Sequence, residues 1–154
     1  MSLERLQTTI DKSLLNASPL TRELFDSKHM TATELQRFVN EAMSASIATV
    51  SPAGHPHASL TLVACSKEGE LYFAANDASV LFRNLQQSAN VALTVDAKEH
   101  GIMAQGRAEL AGRASDLRRG LLAELDSLME RGRWLPPNWE GTIYRVALTR
   151  VFAQ

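Results

Sequence analysis

Residues 45–95, ASIATVSPAGHPHASLTLVACSKEGELYFAANDASVLFRNLQQSANVALTV, decide the fold, because the spacing of their apolar side chains changes from strand-like to helical and back. Ser46–Val50 is rich in Ile, Val and Thr, and it ends at a turn that contains Pro and Gly. His57–Ser66 then alternates, and a short Gly-containing connection leads to Leu71–Ala75. These three segments predict three consecutive strands.

The second of these strands has two chemically different faces. We expect its more apolar face to be core, and its smaller, more polar face to meet something else. The expected core face carries Ala58, Leu60, Leu62 and Ala64, and the other face carries His57, Ser59, Thr61, Val63 and Cys65.

The third strand is followed by a helical pattern. Val80, Leu81, Asn84 and Leu85 recur at helical spacing, and Ser79 is a candidate N-cap. Val91–Val95 returns to strand composition. Strand pairs interrupted by one short helix suit a small closed barrel better than a sandwich.

The residues before the barrel predict helices. Ser2–Asn16 has an amphipathic pattern, whose apolar stripe either covers one end of the barrel or packs on a second subunit. Residues 20–29 are a helical or irregular connection. Thr31 and Glu34 then form a capping box that opens a helix to about Ser44.

The residues after the fourth strand complete the barrel. Ile102–Ala111 is expected as a fifth strand, and Asp116–Arg131, capped by Ser115, as one amphipathic helix. WLPPNWEG, residues 134–141, is irregular because of its paired prolines. We expect one domain over residues 1–154, with a helical segment at 1–44, five strands within 45–112, a helix at 115–131 and a closing strand at 141–153.

Composition is that of an ordinary globular protein. Sixteen basic and 17 acidic residues leave a formal charge of −1, which argues against nucleic acid or an anionic membrane as the main partner. The N-terminus is charged and lacks the apolar region of a signal peptide, and no apolar run is long enough to span a bilayer. We therefore expect a cytoplasmic protein.

Five segments in order resemble the pyridoxamine 5′-phosphate oxidase-like, FMN-binding split-barrel family. They are IATVSPAGHPHASLT, LYFAAN, the S-x-x-x-RNL of Ser79–Leu85, NVALTV and QGRAEL. The resemblance covers roughly residues 45–110, and the C-terminal strand fits it as well. It implies a mainly β fold with flanking helices, a six-stranded antiparallel split β-barrel, and a homodimer with the cofactor in a groove between subunits.

The resemblance also implies which residues hold the cofactor. The FMN phosphate would lie where the third strand ends and the next helix begins, and the second strand would lie beside the ring system. The residues that match these positions are Ala75, Asn76, Ser79 and Arg83 at the phosphate, and Ser59 and Thr61 beside the ring. Arginine and hydroxyl groups at a helix N-terminus are suitable phosphate ligands.

One departure from the family bears on that site. Flavin-binding members commonly carry one or two basic residues just before this arginine, and here Val80 and Leu81 stand in their place. Each missing charge-assisted hydrogen bond is worth roughly 1.5–3 kcal/mol, about tenfold to a hundredfold in affinity. Weak FMN binding, a different ligand such as F420 or haem, and no ligand at all therefore stay open.

The C-terminal W-E-G-x-x-x-R arrangement, Trp139 to Arg145, resembles the W-Q-G-x-x-x-R signature of the oxidases themselves. The resemblance implies that Trp139 contacts the flavin from the partner subunit; filling the barrel mouth is the alternative. Val146-Ala147 replaces the Leu-His that contributes to binding of the substrate phosphate. We therefore do not expect vitamin B6 oxidation.

Other chemistry is sparse in the sequence. His55 and His57 are the nearest approach to a metal pair, but they lack a third ligand, and we expect no metal site. Cys65, the single cysteine, is expected to be a small buried residue. No catalytic residue can be named. Two functional hypotheses remain. The first is a flavin-dependent oxidoreductase that acts on an unknown small molecule. The second is a non-enzymatic protein, which is either a module that binds haem, F420 or another ligand or a degenerate dimer without cofactor.

Overall fold

The computed structural model describes residues 3–26 and 29–154. Its strands form a closed antiparallel barrel in the order β1-β2-β3-β6-β5-β4, so the predicted six-stranded barrel is confirmed. The strands are β1 (Ser44–Val50), β2 (Pro56–Cys65), β3 (Leu71–Ala75), β4 (Asn90–Ala97), β5 (His100–Arg113) and β6 (Thr142–Ala153). The helices are α1 (Glu4–Leu15), α2 (Pro19–Asp26), α3 (Ala32–Ala42), α4 (Val80–Gln87), α5 (Ala114–Leu117) and α6 (Leu121–Ser127).

Helix α1 packs on the barrel of its own chain, which decides between the two predicted uses of its apolar stripe. Leu6 and Ile10 are buried in the cluster that fills the barrel. A Cβ on Gly69, in the β2–β3 hairpin, would lie 3.1 Å from the Cβ of Leu6, so this glycine lets the helix approach closely. Residue 2, where the sequence predicts the helix to begin, lies outside the described residues.

At the start of helix α3, the predicted capping bond from the Glu34 amide to the Thr31 hydroxyl is confirmed. The hydroxyl of Thr31 accepts from the Glu34 amide at 3.2 Å and donates to the Glu34 carboxylate at 3.1 Å. Farther along α3, the side chain of Asn40 forms two hydrogen bonds with the Cys65 backbone, one to its N–H and one to its carbonyl. These bonds fasten the helix to β2. Helix α2, which precedes it, covers most of the uncertain predicted segment 20–29, of which residues 27 and 28 lie outside the described residues.

The predicted core face of β2 is wrong. Val63 and Cys65 face the barrel interior, whereas Ala64 belongs to a second cluster outside it and Leu60 is exposed. The reason is that the second cluster covers the outer surface of β2 near its C-terminal end. Its centre is Trp134, fully buried, whose Nε1 donates to the carbonyl of Val63 at 3.0 Å. Both faces of this part of the strand are therefore apolar, and alternation alone does not say which one is inside.

The predicted single helix over residues 116–131 is also wrong. Two short helices, α5 and α6, replace it, and Gly120 lies between them. Ser115 is inside α5 and does not cap it; Arg113 precedes the helix without a side-chain capping bond. The regular leucine spacing continues across the break and conceals it, because Leu122 and Leu125 still belong to the second cluster with Trp134. Among the described residues, no helix is both long enough and apolar enough to cross a membrane.

Candidate functional site

Three strand ends meet at the turn from β3 to α4, residues 76–79, where the resemblance predicts the phosphate; we call it the phosphate turn. Ala75, the last residue of β3, pairs with Thr142 at the start of β6. Thr142 pairs in turn with Arg113 at the end of β5. The turn from β3 to α4 leaves the barrel at this row, so that its residues can contact all three strands.

The turn itself is held by its own hydrogen bonds. The Asn76 side-chain oxygen accepts from the Ala78 amide at 2.9 Å, and the Asn76 carbonyl accepts from the Ser79 hydroxyl at 2.6 Å. The Ser79 hydroxyl also accepts from the Phe82 amide at 3.0 Å, which confirms Ser79 as the N-cap of α4. The one hydroxyl proton of Ser79 is therefore already donated within the turn.

The two predicted ring contacts lie on β2, both half-buried, and both make hydrogen bonds within the chain. Thr61 donates its hydroxyl proton to the carbonyl of Ala74, next to the phosphate turn. The Ser59 hydroxyl lies 3.2 Å from Nδ1 of His57, farther along the strand. Thr61 is thus close to the turn, whereas Ser59 lies two residues away along β2.

Arg83 lies one helical turn beyond Ser79, and its backbone N–H donates to the Ser79 carbonyl at 3.2 Å. Its side chain is exposed, and within residues 3–26 and 29–154 its guanidinium makes no hydrogen bond or ion pair. Gln86, on the same side of α4, donates to the Tyr144 hydroxyl of β6 at 3.2 Å. This contact holds one side of α4 against β6.

The two positions that lack basic residues have different surroundings. Val80 is exposed at the first turn of α4, whereas Leu81 is buried in the barrel cluster. A basic side chain at position 80 would reach solvent beside the turn. Position 81, as this chain folds, contributes packing.

Asp77 has contacts that the sequence did not reveal. Its carboxylate accepts from the Thr142 hydroxyl at 2.8 Å and from the Arg113 guanidinium at 2.8 Å. The Thr142 hydrogen bond, followed by that of Arg113, holds the pKa of Asp77 below its ordinary value, and Asp77 raises the pKa of Arg113. These three groups meet because β6 lies between β3 and β5 in the barrel. Only the order of the strands could have indicated this contact in advance.

Trp139 lies beside the end of β3. A Cβ on Gly141 would lie 2.8 Å from the carbonyl oxygen of Ala75 and would overlap the Trp139 ring, so ring and strand end are separated by little more than this glycine. The ring is half-buried against the second cluster. The carbonyl of Trp139 accepts from Arg118 at 2.9 Å, and Arg118 also pairs with Glu140 at 3.0 Å.

Arg145, the other end of the C-terminal signature, lies on the outer surface of β6. Its guanidinium is hydrogen-bonded to Glu109 of β5 and lies 3.9 Å from the Glu70 carboxylate. The Glu109 bond is the main cause of the raised pKa of Arg145. Two acidic neighbours already partner this cation, so it is poorly placed to receive a substrate phosphate.

A patch without charged side chains covers part of the outside of four neighbouring strands, and we call it the outer face. Leu60 of β2 is opposite Ser46 of β1, and Thr94 of β4 lies between Ser46 and Met103 of β5 in the same row. Leu60 is 78% exposed and Met103 is 46% exposed. The outer face consists of Ser46, Ala48, Ala58, Leu60, Ala92, Thr94, Met103 and Gln105.

The remaining candidates for chemistry have structural surroundings. Burial raises the pKa of Cys65 to about 12, so the thiol is un-ionised and unreactive near neutral pH. In the described part of the chain, no group of three or more His, Cys, Asp or Glu side chains could hold a metal ion. Among the described residues, the phosphate turn and its neighbours are therefore the candidate site.

Comparison with known proteins places the chain among split barrels. Residues 31–150 match the family described as pyridoxamine 5′-phosphate oxidase. A search of curated proteins gives no significant match.

Three solved structures show the same fold at identities below 20%. An FAD-binding protein from Mycobacterium smegmatis shares 18% identity over 82% of this chain and 95% of its own, with a TM-score of 0.57. A haem-binding protein from the same organism shares 18% identity over 81% of this chain, with a TM-score of 0.58, and the chain spans only 54% of its length. An F420 reductase shares 19% identity over 75% of this chain and 94% of its own, with a TM-score of 0.55.

Proposed function

The chain belongs to the pyridoxamine 5′-phosphate oxidase family, and from this premise we propose that it binds a flavin, with FMN as the first candidate, in a groove between two copies of the chain. When bound, a flavin supplies the hydride or electron transfer, and the protein supplies binding, orientation and the local electric field. The substrate would be a small organic molecule.

The observation that carries the proposal is the unpartnered guanidinium of Arg83, which belongs to an exposed residue of α4 one helical turn beyond Ser79. Among described residues it has no hydrogen bond or ion pair, and the Gln86 contact to Tyr144 holds one side of α4 against β6. Trp139 is half-buried next to Ala75 at the same end of the barrel, and in the proposed groove between two copies its ring is an aromatic surface for the flavin that the resemblance assigns to the partner copy. A cation and an aromatic ring are the two features that a flavin's phosphate and ring system require.

The donors around the turn fit a phosphate only in part. The hydroxyl protons of Ser79 and Thr61 are donated to backbone carbonyls of the chain itself. Arg83 and the side-chain nitrogen of Asn76 remain, since neither has a partner within the described residues. Two donors in place of a fuller set support binding that is weaker than in members with added basic residues.

The outer face supports the proposed homodimer. It is exposed and uncharged, and Leu60 at its edge lies between Ser59 and Thr61 on β2. Exposed surfaces without charges are typical of the centres of protein interfaces. A second copy seated there would lie next to the strand that carries the predicted ring contacts.

Vitamin B6 oxidation is not the activity we propose. The Arg145 side chain is bonded to Glu109 and lies near Glu70, so its charge is already compensated. Turnover of pyridoxamine 5′-phosphate by the purified protein would contradict this part of the proposal.

The first test is the visible absorption spectrum of the freshly purified protein, before and after addition of FMN and desalting. Retained flavin bands would support the proposal. A Soret band would point to haem binding, as in the M. smegmatis relative, and a colourless protein that does not retain FMN would leave F420 or a cofactor-free dimer.

The second test is the Arg83→Ala variant. We expect it to weaken FMN binding about tenfold to a hundredfold while leaving riboflavin binding unchanged, because riboflavin lacks the phosphate. Arg37→Ala is the control, since Arg37 is an exposed helical arginine on α3. Equal loss of FMN and riboflavin affinity, or no loss of either, would show that Arg83 does not contact the phosphate.

A further inference from the structure

Next to the proposed phosphate position, the chain already holds an anion of its own. Both carboxylate oxygens of Asp77 are bound, one by the Thr142 hydroxyl and one by the Arg113 guanidinium, each at 2.8 Å. A hydroxyl and a guanidinium at these distances are the donors that a phosphate oxygen would use. Thr142 is buried and therefore fixed in position by its surroundings.

The location of this anion follows from the barrel. Asp77 directly follows Asn76 in the phosphate turn, and the turn begins at Ala75, which shares a row with Thr142 and Arg113. Arg113 uses one nitrogen for this contact, and its further N–H groups have no hydrogen-bond partner within the described residues. Its guanidinium is therefore a second cation beside the turn, in addition to Arg83.

We propose that the Asp77 carboxylate is an internal anion that occupies Thr142 and Arg113 and so competes with the phosphate of a ligand at this turn. The inference rests on the proposed function only in placing a ligand phosphate at the β3–α4 turn. It gives a second reason, besides Val80 and Leu81, why phosphate binding at this turn would be weak although two arginines lie on neighbouring elements. Removing the carboxylate should free Thr142 and Arg113 for an external anion.

The test is an NMR titration of the amide signals with inorganic phosphate, comparing the wild-type chain with Asp77→Asn. We expect the variant to bind phosphate at least tenfold more tightly, with shifts concentrated at residues 76–79, 113 and 142. Adding Arg113→Ala to Asp77→Asn should abolish the gain. Asp77→Ser is a second variant of the same kind, should Asp77→Asn fail to fold.

Glu140→Gln is the matched control. Glu140 is close enough to raise the pKa of Arg113, but it is bonded to Arg118 and not to Arg113. Its removal changes the net charge by the same amount as Asp77→Asn. The proposal is overturned if Asp77→Asn binds phosphate no more tightly than wild type, or if Glu140→Gln produces the same gain.

FMN and riboflavin titrations separate this inference from the proposed function. Tighter FMN binding by Asp77→Asn, with unchanged riboflavin binding, supports both. A gain for phosphate with no FMN binding by any variant supports the internal anion and contradicts the flavin proposal. FMN binding that is equal in wild type and Asp77→Asn contradicts the internal anion and leaves the flavin proposal standing.

Discussion

At the scale of single residues, Ser13 shows how one hydroxyl joins α1 to the barrel. Ser13 is buried, donates to the Thr9 carbonyl at 2.7 Å, and accepts from the backbone N–H of Val151 on β6 at 2.9 Å. Val151 follows a register irregularity between β5 and β6. The Ser13 hydroxyl is therefore the hydrogen-bond acceptor for a buried backbone N–H group of β6.

We expect Ser13→Ala to lower the free energy of unfolding by about 1–3 kcal/mol, because the Val151 N–H would stay buried without an acceptor. Chemical denaturation would measure it. Thr9→Ala is the control: its hydroxyl also bonds a carbonyl one turn back, that of Arg5, but the bond is exposed. An equal effect of the two substitutions would mean that the bond to Val151 contributes nothing.

Individual side chains also show where sequence reasoning stopped. Ser79 was predicted as the cap of α4 because capping depends on neighbours three residues away. Asp77 contacts Thr142 and Arg113, which are 65 and 36 residues away in the sequence, and no local sequence pattern predicts these contacts. They required the strand order.

At the scale of elements, the close pairing of β5 with β6 depends on one glycine, Gly106. A Cβ on Gly106 would overlap the carbonyl oxygen of Ala147 and would lie 3.0 Å from its carbonyl carbon. Gly106 lies at the first register irregularity of this strand pair. The nearest atom belongs to the backbone of the facing strand, and the Val146 side chain lies at 3.0 Å as well, so the overlap can be relieved only if one of the two strands shifts.

We therefore expect Gly106→Ala to destabilise the protein by about 1–3 kcal/mol or more, measured as a lowered denaturation midpoint. Gly101→Ala is the matched control on the same strand, because its Cβ would meet the carbonyl of Val95 at an ordinary 3.7 Å. If both variants were equally stable, the close contact between the two strands would not constrain the barrel.

The elements themselves were largely predictable, for physical reasons that also explain the two errors. Strands β3 and β6 are bounded by turn residues and an irregular Pro-Pro segment, so the ends of these strands can be predicted from neighbouring residues. The side of β2 that faces inward depends on α5, α6 and Trp134, which come much later in the chain; Trp134 is 71 residues from Val63. The break at Gly120 was concealed because both short helices keep their leucines on one cluster.

At the scale of the whole molecule, the proposed binding site lies apart from the packed core. Two apolar clusters fill the interior and one outer side, and α1 and α3 are fastened to the barrel by buried polar contacts of Ser13 and Asn40. The phosphate turn lies at the ends of β3, β5 and β6. Substitutions at exposed Arg83 should therefore change binding with little effect on folding.

The outer face provides the test of assembly. If two copies associate through it, Leu60→Asp should convert a dimer to a monomer, because an unpaired carboxylate would be buried at the interface. Leu24→Asp is the control: Leu24 is an exposed leucine, at 59%, on α2 and outside the outer face. Sedimentation equilibrium of the three proteins would measure the masses. A dimer that survives Leu60→Asp but not Leu24→Asp would move the interface to α2, and a monomeric wild type would contradict the proposed groove between subunits.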